Sequence, residues 1–388
     1  MKTAVLTLSL LAASLSSAQA AEIRGQINLE HRQFFNDGAQ GQDNEQTSLV
    51  AEPEMYWQWQ QGQSSLTFTP FARVDSLDDE RTHADIRELM YLYLTGDYEI
   101  RAGIGKVFWG VTESQHLVDV INQTDNLESL DGEEKLGQPM VHLTAVKDWG
   151  ILEGFVLPYF REASFPGQDG RLRAPVLISE DAMYESSDEE QHIDYAARYT
   201  QSMGDWDIGL SYFNGTNRTA DLRFNGVTLT PYYAQMSQFG LDVQGIVGDW
   251  LLKLEAINRD SFEDHNALTA GFEYTYIGAF DTDWDIGVIS EYLYDSRDEK
   301  APTPSQNDLF LGARFVVNDA EGTEILIGMT QDLDDSDSVS GKVEASSRIN
   351  NSWKWRLDAW MFSSEQPSDP IYAFKEDDFV ELSLEYYF

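Results

Sequence analysis

The chain has 388 residues, with 67 Asp and Glu against 26 Lys and Arg, a formal net charge of −41 and no cysteine. So acidic a chain is excluded as a nucleic-acid binder, and without cysteine it has neither a disulfide framework nor a thiolate metal site. An aromatic content of 12% separates it from disordered acidic chains, which are poor in aromatic residues.

The amino terminus predicts export. Lys2 precedes an apolar run at 4–15, and Ala18-Gln19-Ala20 forms a small-residue cleavage site before Ala21. The run is too short to span a bilayer, so residues 1–20 read as a Sec-type signal peptide. No later segment is long and apolar enough to cross as a helix. If the remaining chain, 21–388, lies in a membrane, it must close into a β-barrel that satisfies its own backbone. No Pro/Gly/Ser-rich linker divides it, which favours one barrel over several domains.

Runs of about ten alternating residues recur along the whole chain. They fall at 23–35, 48–60, 63–75, 84–95, 97–109, 139–147, 150–161, 191–202 and 205–216. The series continues at 236–247, 249–261, 265–277, 284–295, 307–318, 322–333, 337–349, 352–364 and 377–388. These eighteen segments predict an all-β, antiparallel, up-and-down transmembrane barrel with an even strand number of 16–18. The long connections, 36–47, 110–138, 162–190, 217–235, 296–306 and 365–376, are all odd-numbered and face outside. The even connections are nearly all very short, as periplasmic turns should be. Three of them repeat a motif: Gly96-Asp97-Tyr98, Gly204-Asp205-Trp206 and Gly248-Asp249-Trp250. Asp148-Trp149, Asp283-Trp284 and Ser352-Trp353 vary it, which sets six aromatic residues at one height as an interfacial girdle.

Side-chain alternation assigns the faces. Leu268, Ala270, Phe272 and Tyr274 face lipid while Thr269 and Glu273 face inward, and Trp355, Leu357 and Ala359 oppose Arg356 and Asp358. An Arg or Lys on the lipid face would cost about 2–4 kcal/mol near the midplane, so the charges go inside. The predicted pore lining is Arg24, Glu30, Arg32, Arg73, Arg87, Arg101, Arg161, Arg198, Glu255, Arg259, Glu273, Arg314 and Arg356. Both signs are represented, which predicts a hydrated, charge-lined pore; a lumen packed shut by salt bridges is the alternative.

The 110–139 connection is the longest candidate insert. Thr112 could cap a short helix over 113–123, with Leu117, Val118, Val120 and Ile121 on one stripe. Folded inward, the loop would constrict the pore and bring Glu113, His116, Asp119, Asn122 and Asp125 into it; folded outward, it would stand over the mouth.

The residues leading into this loop, YEIRAGIGKVFWG at 98–110, followed by Asp119, Asn122 and Asp125, resemble a stretch in alginate-export-like barrels and related uncharacterised outer-membrane proteins. The likeness spans about thirty residues and departs at Ile104-Gly105, inserted before Lys106. It implies a monomeric barrel that passes an organic or polymeric solute.

At the carboxyl end, Val380, Leu382, Leu384, Tyr386 and Phe388 alternate with Phe379, Glu381, Ser383, Glu385 and Tyr387. A terminal Phe on such a strand resembles the closing strand of bacterial outer-membrane barrels, which the assembly machinery reads. A soluble edge strand has the same pattern, but the signal segment, the alternating connection lengths and the phased turns decide for the barrel. Glu381 and Glu385 are then expected to pair across the seam near Arg24 and Arg32.

Other chemistry is weakly represented. His192 and Asp194 share a face near the outer end of one strand, and His83 lies two residues from Asp85, spacings that suit a base and its orienter. Only six histidines are present, so catalysis is not expected. Asp281-x-Asp283-x-Asp285 fails as a calcium loop because Ile286 and Tyr292 replace the required Gly and Glu. No cofactor or metal is expected; the expected partners are outer-membrane lipid, lipopolysaccharide and the assembly machinery. The expected function is an outer-membrane channel for passive diffusion. A non-conducting receptor or scaffold is the alternative, with a barrel hydrolase behind it.

Overall fold

The computed structural model describes residues 21–303 and 305–388; residues 1–20, read as a signal peptide, lie outside the described residues. The strands in chain order are β1 (Glu22–Phe34), β2 (Glu45–Trp59), β3 (Ser64–Asp75), β4 (Ala84–Thr95), β5 (Tyr98–Gly105), β6 (Gln138–Lys147) and β7 (Gly150–Leu157). Next come β8 (Met183–Tyr184), β9 (Asp194–Met203), β10 (Trp206–Thr216), β11 (Asp221–Phe224), β12 (Leu229–Tyr233), β13 (Gln235–Val247) and β14 (Trp250–Asp260). The last are β15 (His265–Tyr276), β16 (Asp285–Asp295), β17 (Asn307–Val316), β18 (Glu324–Asp332), β19 (Val339–Arg348), β20 (Trp353–Ser363) and β21 (Phe379–Tyr387).

Eighteen of these form one sheet, in which β1 pairs antiparallel with both β2 and β21. That closure removes both edges, so no strand leaves its backbone groups unpaired in lipid. All eighteen predicted strands are present. β5 and β7 stop short of their predicted ends. β5 turns inward after Gly105, and β7 ends before Pro158, which has no N–H to give a neighbour. Pro70 is tolerated inside β3 because the register against β4 shifts between Thr69 and Pro70.

The turns follow their chemistry. Gly96, Gly204 and Gly248 have φ of 59°, 65° and 65°, a region that costs glycine nothing. Tyr98, Trp149, Trp206, Trp250, Trp284 and Trp353, one at each turn, are all exposed on the outer surface. Above them the outer face is apolar and exposed, as at Leu29, Leu143, Leu210, Leu311 and Leu382.

The 217–235 connection is not plain loop: it contains the hairpin β11–β12, and β12 pairs in parallel with β8 to form a small separate sheet. The Asn225-Gly226 step between β11 and β12 is a strong hairpin signal. The inner wall is also not uniformly polar. Met90, Met140, Phe155, Phe213, Met236 and Ile257 point inward from β4 through β14 and share one buried apolar cluster. What covers them is the loop between β5 and β6.

Candidate pore constriction

The 106–137 loop folds into the barrel and buries Trp109, Val118, Val120 and Ile121 against that inward apolar wall. Its neck is held by Asn122. The Asn122 side chain accepts from the Val107 N–H (2.9 Å) and donates to the carbonyls of Gly105 (2.9 Å) and Leu136 (2.8 Å). Asp119 accepts from the Trp109 N–H (3.3 Å) and pairs with Lys135 (3.2 Å), while Asp125 pairs with Arg87 on β4 (2.7 Å). These three residues therefore brace the loop instead of facing the lumen.

The predicted helix over 113–123 does not form. Two carboxylates on the opposite wall gather the amides at its start, and one of them also takes the Val118 N–H that a helix would have used. Glu255 on β14 accepts from the N–H groups of Val111 (2.7 Å), Thr112 (3.1 Å) and Val118 (3.2 Å) and from the Thr112 hydroxyl (2.8 Å). Glu291 on β16 accepts from the N–H groups of Glu113 (2.8 Å) and Ser114 (2.8 Å). A charged acceptor inside the barrel makes a stronger bond than a helical carbonyl. The Thr112 hydroxyl directs its one proton between Glu255 and the Gln115 carbonyl and accepts from no backbone N–H among the described residues, so it caps nothing.

Further pairs tie the loop around the lumen. Glu113 meets Arg314 on β17 (2.8 Å) and Lys253 on β14 (4.0 Å), and Lys253 also meets Glu273 (3.8 Å). Asp131 lies 3.8 Å from Lys342 on β19. Arg73 on β3 clamps Glu30 and Glu128 together. His116 sits between Glu133 (2.7 Å) and Glu255 (3.7 Å). Burial opposes a charge on this ring, but the hydrogen bond to Glu133 and the carboxylate of Glu255 outweigh it and push its pKa up to about 9. The same bond holds Glu133 below the usual carboxylate range.

The remaining predicted pore residues fall into separate sets. Arg32 pairs with Glu381 (2.8 Å) across the seam. Glu385 turns instead to Arg356 (3.8 Å), and Arg24 pairs with Glu54 (2.6 Å), so the second expected seam pair does not form. The registers explain the difference: Arg32 stands opposite Glu381, whereas Glu385 stands opposite Asn28. Arg356 also meets Asp358 (2.9 Å), Arg101 meets Glu99 (2.7 Å), and Arg161 meets Asp85 (3.0 Å). Arg198 pairs with Asp242 (2.8 Å) beneath Trp109, and Arg259 donates to Gln238 (2.8 Å), which itself holds the Leu117 carbonyl.

Between the 128–134 edge of the loop and the inner faces of β17–β21 and β1 lies a cavity of about 410 Å³. Its lining includes Glu128, Asp131, Glu133 and Glu134 from the loop, facing Arg32, Arg314, Arg356 and Glu344 from the wall. Its roof comes partly from Arg171 in the 158–193 loop, a residue the sequence reading passed over. Arg171 bonds Asp377 (2.6 Å), the carbonyls of Asn36 (3.2 Å) and Glu376 (2.7 Å), and stacks over Phe34 (4.2 Å). The basic run Arg171-Leu172-Arg173 inside an acidic stretch was the available signal.

Ligand atoms of His83, Asp125 and Glu128 approach within 4.8 Å of one another, a spacing open to a metal. Arg87 on Asp125 and Arg73 on Glu128 already supply the countercharge. His192 meets Asp194 (2.8 Å), but Asp194 also holds Arg218 (2.7 Å) and the Thr216 N–H (3.0 Å), which makes it an anchor. His83 bonds the Arg81 carbonyl (3.0 Å), and Asp85 is held by Arg87 and Arg161.

No protein-family model and no curated protein sequence matches the chain. Solved structures do. A BenF-like porin from Pseudomonas fluorescens Pf-5 superposes with a TM-score of 0.54 at 13% identity, over 96% of this chain and 98% of that one. Pseudomonas aeruginosa OccK9 (OpdG) gives 0.55 at 12% identity, over 95% and 98%, and Pseudomonas aeruginosa OpdQ gives 0.53 at 12%, over 96% and 98%. At such identities the likeness is one of fold, and it runs the length of the chain. The finer likeness to alginate-export-like barrels rests on the 98–125 stretch alone. The chain has the closed eighteen-strand barrel fold of outer-membrane porins.

Proposed function

We propose that this protein is an outer-membrane channel through which hydrophilic solutes diffuse passively, with the 106–137 loop as its constriction. The observation that carries this reading is the loop itself. It crosses from β5 to carboxylates on β14 and β16, yet leaves a charge-lined cavity of about 410 Å³ beside it. A barrel whose loop packed the whole lumen would have no such space. The porin named among the structural relatives agrees with the reading. The apolar outer band and aromatic girdle suit an outer membrane reached through the signal segment, and the aromatic closing strand suits the assembly machinery as a partner.

Purified barrel in a planar bilayer is expected to give stepwise conductance, and persistent silence of folded barrel overturns the proposal. Deleting residues 113–134 should raise the single-channel conductance, because the deletion removes the cavity's inner wall; an unchanged step size would remove the loop from the constriction. A second reading, a closed barrel acting as receptor, draws on Arg171, which ties the 158–193 loop to both flanks of the seam. That reading requires the silent trace.

A further inference from the structure

Resting on the channel reading above, we infer that the constriction selects cations, and cation-bearing solutes such as amines and guanidines, over anions. The cavity lining holds nine carboxylates and five guanidiniums, so the count already favours the negative sign. Accessibility widens the difference. The side chains of Glu133, Glu134, Glu324 and Glu344 are between 36% and 53% exposed. Among the five guanidiniums, only Arg356 reaches that range, at 43%, and it lies 2.9 Å from Asp358.

The other four arginines are withdrawn into ion pairs. Arg32 is held by Glu381, Arg81 lies near Glu30 and Asp75, Arg171 by Asp377, and Arg314 by Glu113 and Glu324. A guanidinium with its donors engaged by carboxylates offers a passing anion little, because binding it would break a charge-assisted pair in a low-dielectric wall. The exposed carboxylates are paired too, Glu133 with His116, Glu134 with Lys106, Glu324 with Arg314 and Glu344 with Lys342, but each keeps an accessible face on which a cation can replace part of its hydration shell without breaking the pair. Carboxylates on both sides of a narrow space focus field lines between low-dielectric walls and concentrate cations there.

The test is the reversal potential of wild-type protein in a planar bilayer under a KCl gradient. Potassium is expected to permeate better than chloride, on the order of tenfold at low salt. The double variant Glu324→Gln/Glu344→Gln should lower that ratio, by roughly half or more, as two exposed charges leave the wall. In liposome swelling, lysine should enter faster than glutamate. A conducting barrel with zero or chloride-directed reversal potential overturns the selectivity and leaves the channel intact. A silent barrel overturns both. If the double variant does not fold, the wild-type potential and the swelling rates still decide.

Discussion

Glu255 shows at the scale of one residue how a barrel holds a loop in its lumen. The residue is fully buried, and its nearest cationic partner is the His116 ring at 3.7 Å, so its charge is compensated chiefly by four donors from the loop. Burying a carboxylate costs several kcal/mol unless such donors replace water, so site and loop are mutually required. Glu255→Ala would orphan those donors at about 1–3 kcal/mol each. The cheaper outcome is for the loop to swing into water. We therefore expect raised conductance and new protease sensitivity within 106–137, with the barrel still folded by heat-modified gel mobility. Equal protease resistance in the variant would remove Glu255 from this role.

At the scale of the element, the constriction loop is fastened at its neck by Asn122 and at its acidic edge by His116. The His116 clasp has a defined pH window. Its pKa stands at about 9 in the folded protein against an ordinary 6.5, so the proton is bound more tightly in the folded state. The stabilisation is complete below 6.5 and is lost as pH rises through about 9. Raising the pH past that point should loosen the loop, read as increased current noise or faster proteolysis at 106–137. His116→Gln should abolish the pH dependence; a variant that keeps it would place the titration elsewhere. The neck has no such window, because amide bonds do not titrate.

At the scale of the whole molecule, the barrel is a single closed sheet whose two faces meet different solvents. Leu357 lies midway along β20 on the outer face, beside inward Arg356 and Asp358. Leu357→Lys should destabilise the barrel by about 2–4 kcal/mol. Urea unfolding in lipid vesicles would measure this, and a neutral result would contradict the face assignment. The seam shows the same logic in the backbone: Phe388 and Gly25 exchange two N–H to carbonyl bonds of 3.1 Å, which seals the last strand to the first.

The sequence by itself determined strand number, face assignment and turn positions, because each depends on neighbours in the chain. Alternation has period two, and a Gly-Asp-Trp turn is complete within three residues. It left open what fills the lumen. Phe155, Phe213 and Ile257 interrupt a polar inner face, Met90 joins them past the register shift opposite Thr69–Pro70, and only their convergence on Val118 and Ile121 shows a core. Local signals predicted a helix after Thr112, whereas a carboxylate 137 residues away took the Val118 amide that the helix needed. Alternation assigned the arginines to the inner face. Which of them carry accessible charge depended on their partners, and those were chosen across the barrel by register and loop path, which only the tertiary structure decided.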